Sequence, residues 1–195
     1  MSRLARRALL AAAATAVASA QAATEGPAIH ETVQYHDVEG ASADALLASL
    51  KDLSYARASD DHFAAANTKW QLRWNVTMQP GKDGCRLASA TTTIDIAMNL
   101  PRWTPPANAE PSLVKSWETF AAAVRKHEDG HHEIAIAAVR EVDRRLREPR
   151  TARSCGALQK QLRGVAEEVV KAYREKDDSY DVTTMHGRTQ GVVFP

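Results

Sequence analysis

The residues His127-Glu128-Asp129-Gly130-His131 decide the reading of this chain. Each residue of an α-helix turns about 100°, so histidines four apart stand one turn above each other on one face. Two imidazoles placed in this way can bind one Zn²⁺. The glutamate beside the first then reaches the metal's water as a general base.

The surroundings of the motif are helical. Downstream of Pro111 the apolar residues Leu113, Trp117, Phe120, Val124, Ala135, Ala138 and Val142 recur as one stripe. On a wheel with Leu113 at zero, His131 returns to about zero, His127 lies near −40° and Glu128 near +60°. The motif therefore points inward. Burying two imidazoles and a carboxylate as ordinary core residues is costly without a shared partner, and a metal supplies one. Gly130 in mid-helix costs about 1 kcal/mol relative to alanine, which predicts that something packs closely against it. Asp129, His132 and Glu133 lie off this face and read as solvated.

Residues 1–23 read as a signal peptide: Met1–Arg7 carries three arginines, 8–18 is an apolar run, and Ala18-Ser19-Ala20 offers a small-x-small cleavage site. The run is too short to span a bilayer, and no later stretch is long and apolar enough. Its removal takes three arginines from the 25 basic residues and leaves 22 against 24 acidic ones. Such a balance excludes the strongly basic face that nucleic acid requires. Residues 24–195 suit a single domain, placed by the leader in the periplasm or outside the cell. Cys85 and Cys155 are the only cysteines, and in an exported chain such a pair predicts a disulfide.

From Ile29 to Val38, Ile29, Val33 and Tyr35 alternate with polar residues and predict a half-buried strand. Ser42 caps a helix carrying Leu46, Leu47, Leu50 and Leu53. Trp70, Leu72, Trp74, Val76 and Met78 alternate with polar residues, and after Pro80-Gly81-Lys82-Asp83-Gly84 a second strand carries Ile94, Ile96, Met98 and Leu100. Together they predict a long antiparallel hairpin. Four prolines between Pro101 and Pro111 lead into the motif helix, which Pro149 limits. Ser154 caps a last helix with Leu158, Leu162, Val165, Val169 and Tyr173 on one face, and beyond Asp177 an irregular tail is expected. The fold class is α+β: a small antiparallel sheet, a long motif helix and a second C-terminal helix, zincin-like.

A catalytic zinc takes a third protein ligand and keeps one position open. The extended motif with a glycine and a third histidine fails, because Ile134 and Ala137 stand in their places. Glu167 points away from the last helix's apolar stripe and Glu168 lies at its flank. The tail then offers His186 and Asp181. His186 is preferred, since Gly187 beside it permits a turned backbone, and Asp181 would orient a histidine from outside the ligand shell. Tyr180 or Tyr173 could donate to an oxyanion.

Tyr35-x-x-Val38-x-Gly40, Trp70-x-x-x-Trp74, Gly84-Cys85 and Leu100-Pro101-x-Trp103 precede the zinc motif. Tyr180-Asp181-x-x-Thr184-x-His186-Gly187 and Gln190-Gly191 follow it. This set resembles the bacterial exported proteins labelled predicted secreted zinc-dependent proteases, catalogued as domain of unknown function 922. The resemblance covers nearly the whole chain after the leader and implies a zinc hydrolase. The expected activity is hydrolysis of peptide bonds in a peptide or protein substrate by a metal-activated water. Zn²⁺ would sit on His127, His131 and His186, with Glu128 as general base. The competing expectation is a non-catalytic, zinc-stabilised binding module of the cell envelope, in which protein fills the fourth metal position.

Overall fold

In the computed structural model, residues 26–52 and 64–194 are described. The leader expected at 1–23 and Leu53 of the first helix lie outside them. A four-stranded sheet carries two long helices on one face. In chain order the elements are β1 (Ala28–Val38), α1 (Ala43–Asp52), β2 (Asn67–Gly81), β3 (Gly84–Trp103), α2 (Pro111–Leu146), β4 (Thr151–Ala152) and α3 (Cys155–Thr184). A 3-10 turn, Arg188–Gln190, follows α3. No helix among the described residues is long and apolar enough to cross a membrane.

The β2–β3 hairpin is the scaffold. Its alternation puts Trp70, Leu72, Trp74 and Val76 on the helix side with Ile94, Ile96 and Met98, and a register shift between Thr77 and Met78 marks a bulge near the turn. The sheet is mixed, which corrects the purely antiparallel sheet expected. β2 occupies one edge of β3, so β1 pairs with the other edge, from Ala28 opposite Thr93 to Val38 opposite Trp103. One antiparallel strand and a helix intervene between them, so β1 and β3 run the same way. A second correction concerns β1, expected to be half-buried. It is an edge strand with Val33 43% and Tyr35 54% exposed and only Val38 buried, and it meets α2 through Glu31, whose Oε1 lies 2.9 Å from His132 Nε2.

α2 starts at Pro111, a residue suited to the first helical position, where no intrahelical N–H bond is lost. Its buried stripe runs Trp117, Phe120, Val124, His127, Glu128, His131, Ala135, Ala138, Val139, Val142. The polar triplet thus lies between two apolar cores. One gathers α1, the end of β3 and Trp117, Phe120 and Val124. The other packs the rest of α2 and α3 on the hairpin.

Ser154 caps α3, its Oγ accepting the Ala157 N–H at 3.2 Å. The helix continues to Thr184, through residues expected to form an irregular tail. The β-branched Val182, Thr183 and Thr184 have weak helix propensity, only some tenths of a kcal/mol each. Two of them satisfy their hydroxyls on the preceding turn, Thr183 Oγ1 donating to Ser179 O at 2.8 Å and Thr184 Oγ1 to Tyr180 O at 2.7 Å. Met185 then takes φ 51° and His186 φ 52°, turning the chain back toward α2.

The Cys85–Cys155 disulfide forms as expected, joining the start of β3 to the start of α3. A bridge over this separation of 70 residues restricts the unfolded chain by about 4 kcal/mol. A Cys85→Ser/Cys155→Ser variant should therefore unfold at markedly lower urea, with a loss of that order. An unfolding free energy within about 0.5 kcal/mol of the parent would show that the bridge does not hold α3 in place.

Candidate metal centre

His127 and His131 stand one turn apart on α2, both buried, with their Nε2 atoms 3.3 Å from each other. α3 crosses this face and brings Asp181, whose Oδ1 lies 3.1 Å from each Nε2. The far side of each ring is held as well. His131 Nδ1 meets Asp177 Oδ1 at 2.8 Å, and His127 Nδ1 meets Gln190 Oε1 at 2.9 Å. A carboxylate and an amide oxygen accept only, so both Nδ1 atoms carry the proton and donate. In that tautomer the Nε2 atom of each ring is turned toward the Asp181 oxygen.

Three potential ligand atoms thus converge, an arrangement that a shared metal ion or a proton relieves. Ligands disposed tetrahedrally about 2.0 Å from a common centre lie about 3.3 Å apart, close to the three spacings seen here. His127, His131 and Asp181 could hold a metal ion. Without one, a proton answers the same field. Burial opposes a charge on His131, but the hydrogen bonds to Asp177 and Asp181 outweigh it and push its pKa up to about 10. Burial also works against ionised Asp181, yet the two imidazoles hold its carboxyl below the usual carboxylate range.

Glu128 lies outside the triangle and faces the sheet. Its Oε2 accepts the Thr68 hydroxyl at 2.7 Å. Burial raises its pKa, and the Thr68 bond and the two histidines only partly oppose the rise. A buried carboxylate with a raised pKa beside a triangle that could hold a metal ion is suited to move a proton.

Of the two tail candidates, Asp181 stands at the third corner of the group in this structure, where His186 was preferred. His186 Nδ1 stands beside it, 3.6 Å from Asp181 Oδ1, with its side chain 45% exposed. The cause is the longer helix. With α3 continuing past Asp177, Asp181 lies one turn beyond it and both face α2, whereas His186 follows the left-handed cap. Tyr180, expected near an oxyanion, is engaged elsewhere. Its ring stacks on His127 at 5.1 Å, and its hydroxyl donates to the His127 carbonyl at 3.2 Å and accepts from Gln190 Nε2 at 3.0 Å. A Cβ on Gly130 would overlap this phenol, which accounts for glycine within the motif. Tyr173 packs against the hairpin core. Glu167 and Glu168 are exposed and pair with Arg163 and Arg145.

Asp177, Gln190 and Thr68 are the site residues that sequence reasoning missed. Asp177 carried a signal, since it stands four positions before Asp181 as His127 stands four before His131. Gln190 stood in the Gln190-Gly191 pair of the resemblance without a role, and Thr68 had no signal, because only the folded chain brings them to α2.

The model of one family, described as a bacterial protein of unknown function (DUF922), matches residues 33–187. No curated protein and no solved structure matches the chain.

Proposed function

The chain belongs to the bacterial DUF922 family, and from that premise we propose that it is an exported zinc-dependent peptidase with a zincin-like site. The observation that carries this reading is the triangle of His127 Nε2, His131 Nε2 and Asp181 Oδ1 with the buried Glu128 carboxylate beside it. Two imidazoles and one carboxylate form a donor set that suits zinc, and three protein ligands leave a fourth position for chemistry. Bound there, zinc supplies Lewis acidity that polarises the scissile carbonyl and acidifies a water.

The chain's own residues do the rest. Asp177 and Gln190 hold the imidazoles in the tautomer that presents Nε2. Glu128 takes the proton of the attacking water and passes it to the leaving amine. Thr68, bonded to Glu128 Oε2, holds that carboxylate in place while its other oxygen turns over the proton. The binding-module alternative needs no carboxylate at position 128, and burying one for structure alone costs free energy.

The test is made on the chain without its leader. About one zinc per molecule is expected, with hydrolysis of casein or of a peptide library that a chelator stops and added zinc restores. Stoichiometric zinc with no cleavage of any peptide or cell-wall amide would favour the module.

A further inference from the structure

By its alternation Trp70 is a core residue of β2, and it is buried. Its indole N–H nevertheless leaves the apolar layer, with Nε1 donating to Asp177 Oδ2 at 3.1 Å. The other oxygen of that carboxylate, Oδ1, accepts from His131 Nδ1 at 2.8 Å. A carboxylate bonded at both oxygens cannot rotate without breaking one of the bonds. The tilt of the His131 ring is thereby referred to a strand of the sheet.

Arg174 secures the arrangement from α3. Its guanidinium carbon lies 3.4 Å from the Trp70 ring centroid, and its Nη2 donates to the Trp70 carbonyl. A cation over the indole face attracts the ring, and the carbonyl bond fixes the backbone under it. His127 is held differently, by the neutral amide of Gln190 on the C-terminal turn. One histidine is thus referred to the sheet and the other to the chain end.

We propose that Trp70 is a positioning residue of the metal centre: its indole N–H fixes the Asp177 carboxylate and, through it, the aim of His131 Nε2 at the ligand triangle. This inference rests on the zinc reading above. Loss of the indole donor leaves a nearly buried carboxylate oxygen without its partner, so the carboxylate turns or draws in water. Either response releases the imidazole.

The experiment compares the parent chain, Trp70→Phe, Asp177→Asn and the double variant, each loaded with zinc. Trp70→Phe keeps an aromatic ring in the core and removes the donor. Zinc affinity, read by chelator competition, is expected to fall about tenfold, the low end for an outer-shell partner. In ¹⁵N-labelled protein the Nδ1–H signal of His131 should shift while that of His127 stays. The Phe change should cost no further affinity once Asp177 is asparagine, because both act through one connection. Losses that add in the double variant, or equal movement of both histidine signals, would mean that Trp70 serves only the fold and would overturn the proposal. Arg174→Met covers the case of a Phe variant that does not fold. Arg174 is exposed, and its loss should also shift the His131 signal selectively; an unmoved signal there counts against the relay. If the parent binds no zinc, the zinc reading falls and the relay with it. If the parent binds zinc and Trp70→Phe is silent, only the relay falls.

Discussion

Glu128→Gln is expected to keep about one zinc per chain and to lose hydrolysis by about 10²–10⁴-fold, the range for a removed general base. The side chain is buried and stands outside the ligand triangle, so its loss takes no donor from the metal. Glutamine matches its size, and its amide oxygen can still accept the Thr68 hydroxyl, which sits 2.7 Å from Oε2. Only the basic carboxylate disappears. Burial already raises the pKa of that carboxylate, so a neutral amide in its place relieves a desolvation cost. The variant should melt no lower than the parent. Equal zinc, an unreduced melting temperature and a collapsed kcat together point to proton transfer. A Gln variant that cleaves as fast as the parent removes Glu128 from the mechanism, whatever the metal content. A variant that loses zinc as well would move Glu128 into the ligand set, against the geometry.

The part of this site on α2 was legible because helix geometry alone converts a four-residue spacing into a shared face, and the apolar stripe from Trp117 to Val142 says which face is inward. The hairpin was legible for the same kind of reason, with period two in place of 3.6. The partner helix was misread at its end. Val182, Thr183 and Thr184 look like extended chain by propensity, yet they stay helical where Tyr180 packs on His127 and the two threonine hydroxyls bond to the preceding turn. That one boundary hid the i, i+4 pair of Asp177 and Asp181 and made His186 the natural choice. The direction of β1 was hidden for another reason. An exposed strand pairs through its backbone, and its side chains leave no record of whether the neighbour runs with it or against it. Trp70 reads as core, and it is core. Its N–H has a second partner that no pattern in the hairpin announces.

Asp181→Ala is expected to weaken zinc binding by more than the 10–100-fold typical of an outer-shell partner, and His186→Ala by less than about tenfold. The asymmetry follows from position. Asp181 Oδ1 is equidistant from the two Nε2 atoms, at 3.1 Å from each, and its charge offsets that of the ion. His186 touches only one corner of the triangle, at 3.6 Å, on a half-exposed side chain. Two consecutive left-handed residues, Met185 and His186, hold it there, and the Gly187 turn after them packs on His127. His186→Ala leaves that backbone intact and therefore tests the imidazole alone. Asp181→Asn separates charge from shape: it keeps the volume and one oxygen acceptor, so a loss close to that of the alanine variant assigns the effect to the carboxylate's charge as a ligand. Chelator competition on folded, disulfide-intact protein reads all three variants on one scale. The reverse order, with His186 costly and Asp181 nearly silent, would require the imidazole to swing into the triangle when metal binds. Asp181 would then move out to orient a histidine, the arrangement that the sequence alone had favoured.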